Sequence, residues 1–75
     1  MIRVPVDCNW REDAWAIVIR PENIAIFGLK IGDRVVLHEP GMECEAILRR
    51  GTQWPWVADI VEGTIKDVPY DEQER

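Results

Sequence analysis

Seventy-five residues, 47% hydrophobic and 31% charged, carry enough apolar material for one small folded unit but little room for a deep catalytic cleft. The formal charge of −5 is mainly C-terminal: residues 67–75 set Asp67, Asp71, Glu72 and Glu74 against Arg75, a balance of −3, while the remainder holds ten acids and eight bases. That near-neutral remainder disfavours nucleic-acid binding by phosphate neutralisation, and no apolar run approaches the roughly 20 residues that cross a bilayer.

The chain opens with "IRVPV", in which Ile2, Val4 and Val6 alternate with Arg3, Pro5 and Asp7. This pattern predicts a half-buried strand, and Pro5, lacking an N–H, places it at a sheet edge or with its missing donor facing away from a partner. "MIRVPVDCNW" has no apolar signal-peptide core, so the cytoplasm is the expected location. The polar run "NWRED" predicts a turn. "AWAIVIR" then reads as a second strand with Trp15, Ile17 and Ile19 on one face.

"RPENIAIFGL" predicts one or two helical turns. Pro21 suits the first helical position, Glu22 complements the positive end of the dipole, and Gly28 suits a left-handed C-terminal cap. Gly32-Asp33 leads into a third strand, "RVVLH", which Pro40-Gly41 ends. "ECEAILRR" is a fourth, with Cys44, Ala46 and Leu48 facing one way and Glu43, Glu45, Ile47 and Arg49 the other. "WPWVADIV" is a fifth, with Trp56, Ala58 and Ile60 inward, and "TIKDV" a short sixth. Residues 69–75 read as a disordered acidic tail. The expectation is all-β: a small SH3-like barrel of five to six short antiparallel strands spanning residues 1–68, with one short helical turn.

Catalytic signatures are sparse. The chain contains no Ser, so serine-hydrolase chemistry is excluded. Its glycines are spaced neither as G-x-G-x-x-G nor as a phosphate-binding loop. Cys8, Cys44 and His38 lack zinc-ligand spacing, and Cys44 shares the apolar side of its strand, so both thiols read as small buried hydrophobes. The expectation is a protein that is not an enzyme and carries no cofactor or metal.

Four tryptophans in so short a chain need an account. The plain one is packing, since the largest side chains supply most core area in a small domain. The sharper one lies in "RRGTQWPW", where Arg49, Arg50 and Trp54 are interleaved beside a turn, with Trp10 beside another. Cations and flat aromatic faces together can stack bases, clamp a proline-rich peptide or hold a partner's loop. Arg49, Arg50, Trp54 and Trp10 are therefore the candidate binding residues, for an unknown protein partner and with a monomer or weak homodimer expected.

"VIRPENIAIFGLKIGDRVVL", residues 18–37, resembles the AbrB-type swapped-hairpin DNA-binding domains, which share the apolar–Pro start, short helix, Gly-Leu and Gly-Asp. That resemblance implies an intertwined dimer acting as a DNA-binding regulator or antitoxin. "GLKIGDRVVL" is also similar to the first strand of SH3-like and KOW-type barrels, which bind protein or RNA. From Arg11 to Arg34, four cations meet four carboxylates and cancel, whereas a DNA surface needs an excess of cations. A non-catalytic protein-interaction module is accordingly the first reading and the DNA-binding regulator the alternative.

Overall fold

A computed structural model describes residues 1–68; the expected acidic tail, residues 69–75, lies outside them. Strands β1 (Arg3–Pro5), β2 (Arg11–Asp13) and β3 (Ala16–Val18) precede helix α1 (Pro21–Phe27). Strands β4 (Arg34–Glu39), β5 (Met42–Arg49), β6 (Val57–Ile60) and β7 (Lys66–Asp67) follow it. All seven strands join one sheet in the order β1-β4-β5-β6-β3-β2, with β7 beside the start of β5.

The long β4–β5 hairpin is the spine. Six residue pairs run from Arg34 opposite Ile47 to Glu39 opposite Met42, and Gly41 turns the corner at φ 91°. Alternation along it builds the core: Val35, Leu37, Cys44, Ala46 and Leu48 face inward and are almost wholly buried. Val4, Ile17 and Ala58 extend the same apolar layer across β1, β3 and β6. Each fully buried Leu, Ile or Val contributes about 1.5–3 kcal/mol.

Helix α1 closes that face. Pro21 occupies its first turn, and Gly28 caps it at φ 63°, as the sequence predicts. Ile24 and Phe27, three residues apart, pack partly buried against the core, while Leu29 is buried outright.

Three features depart from the sequence expectation. First, β1 runs parallel to β4, the one parallel pairing in the sheet as described. The chain crosses the inner face through α1 before β4 returns beside β1, and such a crossover delivers a parallel neighbour. Second, the sheet is open, so the all-β class stands without a closed barrel. Ile2 and Val6 bond to β4, and Pro5 between them turns its carbonyl outward to accept the Asn23 side-chain N–H at 3.3 Å. With that carbonyl occupied and no N–H on the proline, the outer edge of β1 is blunted against another strand.

Third, "NWRED" is only partly a turn, and Trp15 is not in the core. Arg11–Asp13 forms β2, and the Asp13 carboxylate accepts the Trp15 N–H at 2.9 Å, bending Ala14-Trp15 into a tight turn. Trp15 is left 54% exposed, whereas Ile17 and Ile19 are buried.

The outer face is mostly a lattice of charge. Glu43 bridges Arg3 (2.7 Å) and Lys66 (3.2 Å), and Arg34 pairs with Glu45 (2.7 Å). At the β3–β6 end this face becomes apolar: Ala16, Val18 and Val57 form a second buried cluster beneath Trp10.

Candidate aromatic interaction site

Trp10 and Trp56 flank the end of β3. The Trp10 carbonyl accepts the Val18 N–H at 2.9 Å, and the Trp56 carbonyl accepts the neighbouring Ile19 N–H at 3.0 Å. The two indoles then part company. Trp10 packs on the outer cluster, whereas Trp56, inward by alternation from Val57, packs against the main core.

Each carries an arginine. The Arg20 guanidinium lies 5.8 Å from the Trp10 ring centroid, and that of Arg50 lies 5.6 Å from the Trp56 ring. Trp54 joins Trp10 edge to face, with ring centroids 5.0 Å apart, and stays 36% exposed. Arg20 and Arg50 form no ion pair among the described residues. A guanidinium held over an indole keeps its N–H edges free for a carboxylate.

Arg49 behaves differently. Its guanidinium contacts Asp59 at 2.7 Å, Glu12 at 3.4 Å and Asp13 at 3.7 Å, and donates to the Arg50 carbonyl at 3.1 Å. The Asp59 hydrogen bond, then the surrounding carboxylates, hold its pKa above the ordinary arginine value. Its charge is consumed within the fold, so its place here is structural.

The four residues singled out from sequence thus divide. Trp10 and Trp54 touch, Arg50 sits on Trp56 across the sheet end, and Arg49 belongs to an ion network. Sequence reasoning missed Arg20, whose only signal is its place immediately after the buried run "AIVI". Arg20 also lines a depression of about 400 Å³ with Pro5, Val6, Asp7, Glu22 and Asn23. The face therefore offers, between an aromatic shelf and a shallow recess, a cation with no ion pair among the described residues.

Other reactive groups are quiet. Burial first, then the Glu39 hydrogen bond, pushes the Cys8 thiol up to about 12. Burial likewise raises Cys44, and both cysteines are free. Thiols so shifted are protonated at neutral pH and poor nucleophiles. Burial, then the nearby Arg3 charge, lowers the His38 pKa. Among the described residues no cluster of three or more His, Cys, Asp or Glu is arranged to hold a metal ion, and no helix is long and apolar enough to cross a membrane. No protein-family model, curated protein or solved structure matches the chain.

Proposed function

We propose that this chain is a non-catalytic interaction module that docks an extended acidic peptide segment of a protein partner across Arg20, Trp10 and Trp54. The observation that carries the reading is the Arg20 guanidinium, stacked on Trp10, beside the half-exposed Trp54 and without a carboxylate of its own among the described residues. Tryptophan and arginine are the side chains that most often dominate protein interfaces, because they combine large contact area with directed hydrogen bonding. A peptide carboxylate complements the stacked guanidinium, and a proline or aromatic residue beside it complements the Trp54 face. The free buried thiols fit a reducing compartment, in keeping with the cytoplasm.

The DNA-binding alternative has less support. Of the cations in the segment resembling swapped-hairpin domains, Arg34 is neutralised by Glu45. Strands β3 and β4 also find their partners within the same chain, β3 on β6 and β4 on β1 and β5.

The test titrates the protein with acidic, proline- and aromatic-containing peptides and with copies whose acids are replaced by Gln, following tryptophan fluorescence. Binding should require the acids, weaken with salt, and fall at least about tenfold, or ~1.4 kcal/mol, in both Arg20→Ala and Trp54→Ala. Indifference to the acids, or to both substitutions, overturns the reading. A tight dimer that binds duplex DNA with a steep salt dependence replaces it with the swapped-hairpin regulator.

A further inference from the structure

The loop that presents Trp54 has an unusual anchor. Between β5 and β6 the chain runs through Thr52, Gln53, Trp54 and Pro55 without regular structure. Three consecutive backbone N–H groups, those of Thr52, Gln53 and Trp54, converge on one oxygen, Oε1 of Glu12, at 2.6, 2.8 and 3.4 Å. Oε2 of the same carboxylate faces the Arg49 guanidinium. Glu12 lies on β2, forty residues away in sequence, and its side chain is only 7% exposed.

Converging N–H dipoles repel one another unless an anion sits between them, and such a backbone concavity favours a negative charge. Gly51 makes the approach possible. A Cβ there would come within 2.6 Å of Glu12 Oε1 and closer still to the Trp54 carbonyl oxygen. The glycine thus leaves room for the carboxylate and for the fold of the loop over it.

We propose that Glu12 is a carboxylate latch: it holds the 51–54 loop closed and thereby positions Trp54 against Trp10. The latch is a single charged group binding a segment with no ladder of its own, so the loop has two arrangements, closed on the carboxylate and open without it. In the open form the T-shaped indole pair comes apart, and Trp10, which covers Ala16, Val18 and Val57, loses its partner. The consequence for binding rests on the peptide-docking reading, whereas the latch itself does not.

The charged groups around it define what biases the switch. Arg49 from β5 favours the carboxylate; Asp13 on β2 and Asp59 on β6 oppose it by charge but are themselves engaged by Arg49. Backbone hydrogen bonds, that of Gln53 foremost, keep the Glu12 pKa below the usual carboxylate range, so the latch is closed at neutral pH and releases in acid.

The test reads the loop without any ligand, so failure of the latch and failure of the docking reading are distinguishable. Two indoles in edge-to-face contact give an exciton couplet in circular dichroism, and Trp54→Phe supplies the baseline without it. The couplet should be lost in Glu12→Ala and Gly51→Ala, while hydrogen-exchange protection of the Ile17 and Leu48 amides is retained. Added formate, a free carboxylate, should restore it in Glu12→Ala and leave Gly51→Ala unchanged, because there the cradle itself is obstructed. A couplet that persists in Glu12→Ala, or a loss that formate does not reverse, overturns the latch. Should Glu12→Ala fail to fold, acid titration of the unaltered protein decides. The couplet vanishing before core protection supports the latch, and both vanishing together overturns it.

Discussion

Trp10 and Trp54 meet edge to face at an interplanar angle of 87°, although one precedes the second strand and the other follows the fifth. Their contact ties the β5–β6 loop to the start of β2, where Trp10 covers a small apolar cluster separate from the main core. The docking face proposed above is therefore built on the same two rings that make this contact.

Truncating the tryptophans should separate these roles. An edge-to-face aromatic pair is worth about 0.5–1.5 kcal/mol beyond its buried area. Trp54→Ala loses that contribution together with the area its ring covers, about 2 kcal/mol in all, a fall in Tm of roughly 8–16 °C for a domain of this size. Trp56→Ala removes a ring packed against the main core and should cost ~3 kcal/mol, the lower end for a large aromatic because Trp56 is only partly buried. Arg50→Ala should cost under about 1 kcal/mol, the range of an exposed cation–π contact. Thermal unfolding of the three variants checks the order. Equal loss for Trp54→Ala and Trp56→Ala would place both rings in the core and remove Trp54 from the docking face.

Two glycine substitutions should fail for different reasons. Gly28 sits at φ 63° with open space around it, so Gly28→Ala meets only left-handed backbone strain, about 1 kcal/mol. Gly51 has no positive φ requirement but no room, since its new Cβ would collide with backbone and carboxylate oxygens. Gly51→Ala should lower Tm more than Gly28→Ala and also quench the indole couplet, which Gly28→Ala leaves intact. Paired denaturation and circular dichroism measurements test both halves.

What the sequence made legible follows from range. Pro21 and Gly28 bound the helix because their backbone preferences act within a turn, and the alternation of Cys44, Ala46 and Leu48 set the inner face of β5 because strand periodicity is local. The parallel β1–β4 pairing depends on where α1 returns the chain, and no local pattern encodes that. Trp15 leaves the inner face that its alternation with Ile17 and Ile19 predicts, because the Asp13 side chain accepts its backbone N–H and turns the chain there. At the site, the types Arg and Trp were readable, but which arginine was free was not. Arg49 is neutralised by Asp59 across the sheet and Glu12 from β2, and Arg20 is brought to Trp10 by the tertiary fold.

Stability should fall on the acid side through Glu43 as well as Glu12. Hydrogen bonds from Arg3, then Lys66, hold the Glu43 pKa below the ordinary carboxylate range. A group depressed in the folded state favours folding wherever it is ionised. That contribution is complete above its unfolded pKa, near 4.3, and is lost as pH falls through the lower folded value. Urea unfolding should thus give a plateau above about pH 5 and a decline below about pH 4. Glu43→Gln should flatten part of the decline, and added salt should shrink that part because Arg3 and Lys66 are largely exposed. An unchanged acid limb in Glu43→Gln would remove this ion triad from the account.

The alkaline side belongs to the thiols. Cys8 titrates near 9.0 when free and is pushed to about 12 in the fold, first by burial and then by its hydrogen bond with Glu39. The folded state therefore keeps a proton that the unfolded state has lost. The stability this gives is whole below pH 9 and drains away as pH rises toward 12. Cys44, raised in the same direction by burial, adds to the effect. Alkylation by iodoacetamide at mildly alkaline pH should be slow in the native protein and rapid in urea, its rate following the population of unfolded chains and not the intrinsic reactivity of the thiolate. Cys8→Ala should unfold at lower urea at neutral pH, through the cavity it leaves, yet lose less of its remaining stability between about pH 8 and 10 than the unaltered protein (roughly a unit either side of the free thiol value). Rapid alkylation of the folded protein would mean that the thiol is open to solvent and that burial is not what holds its proton.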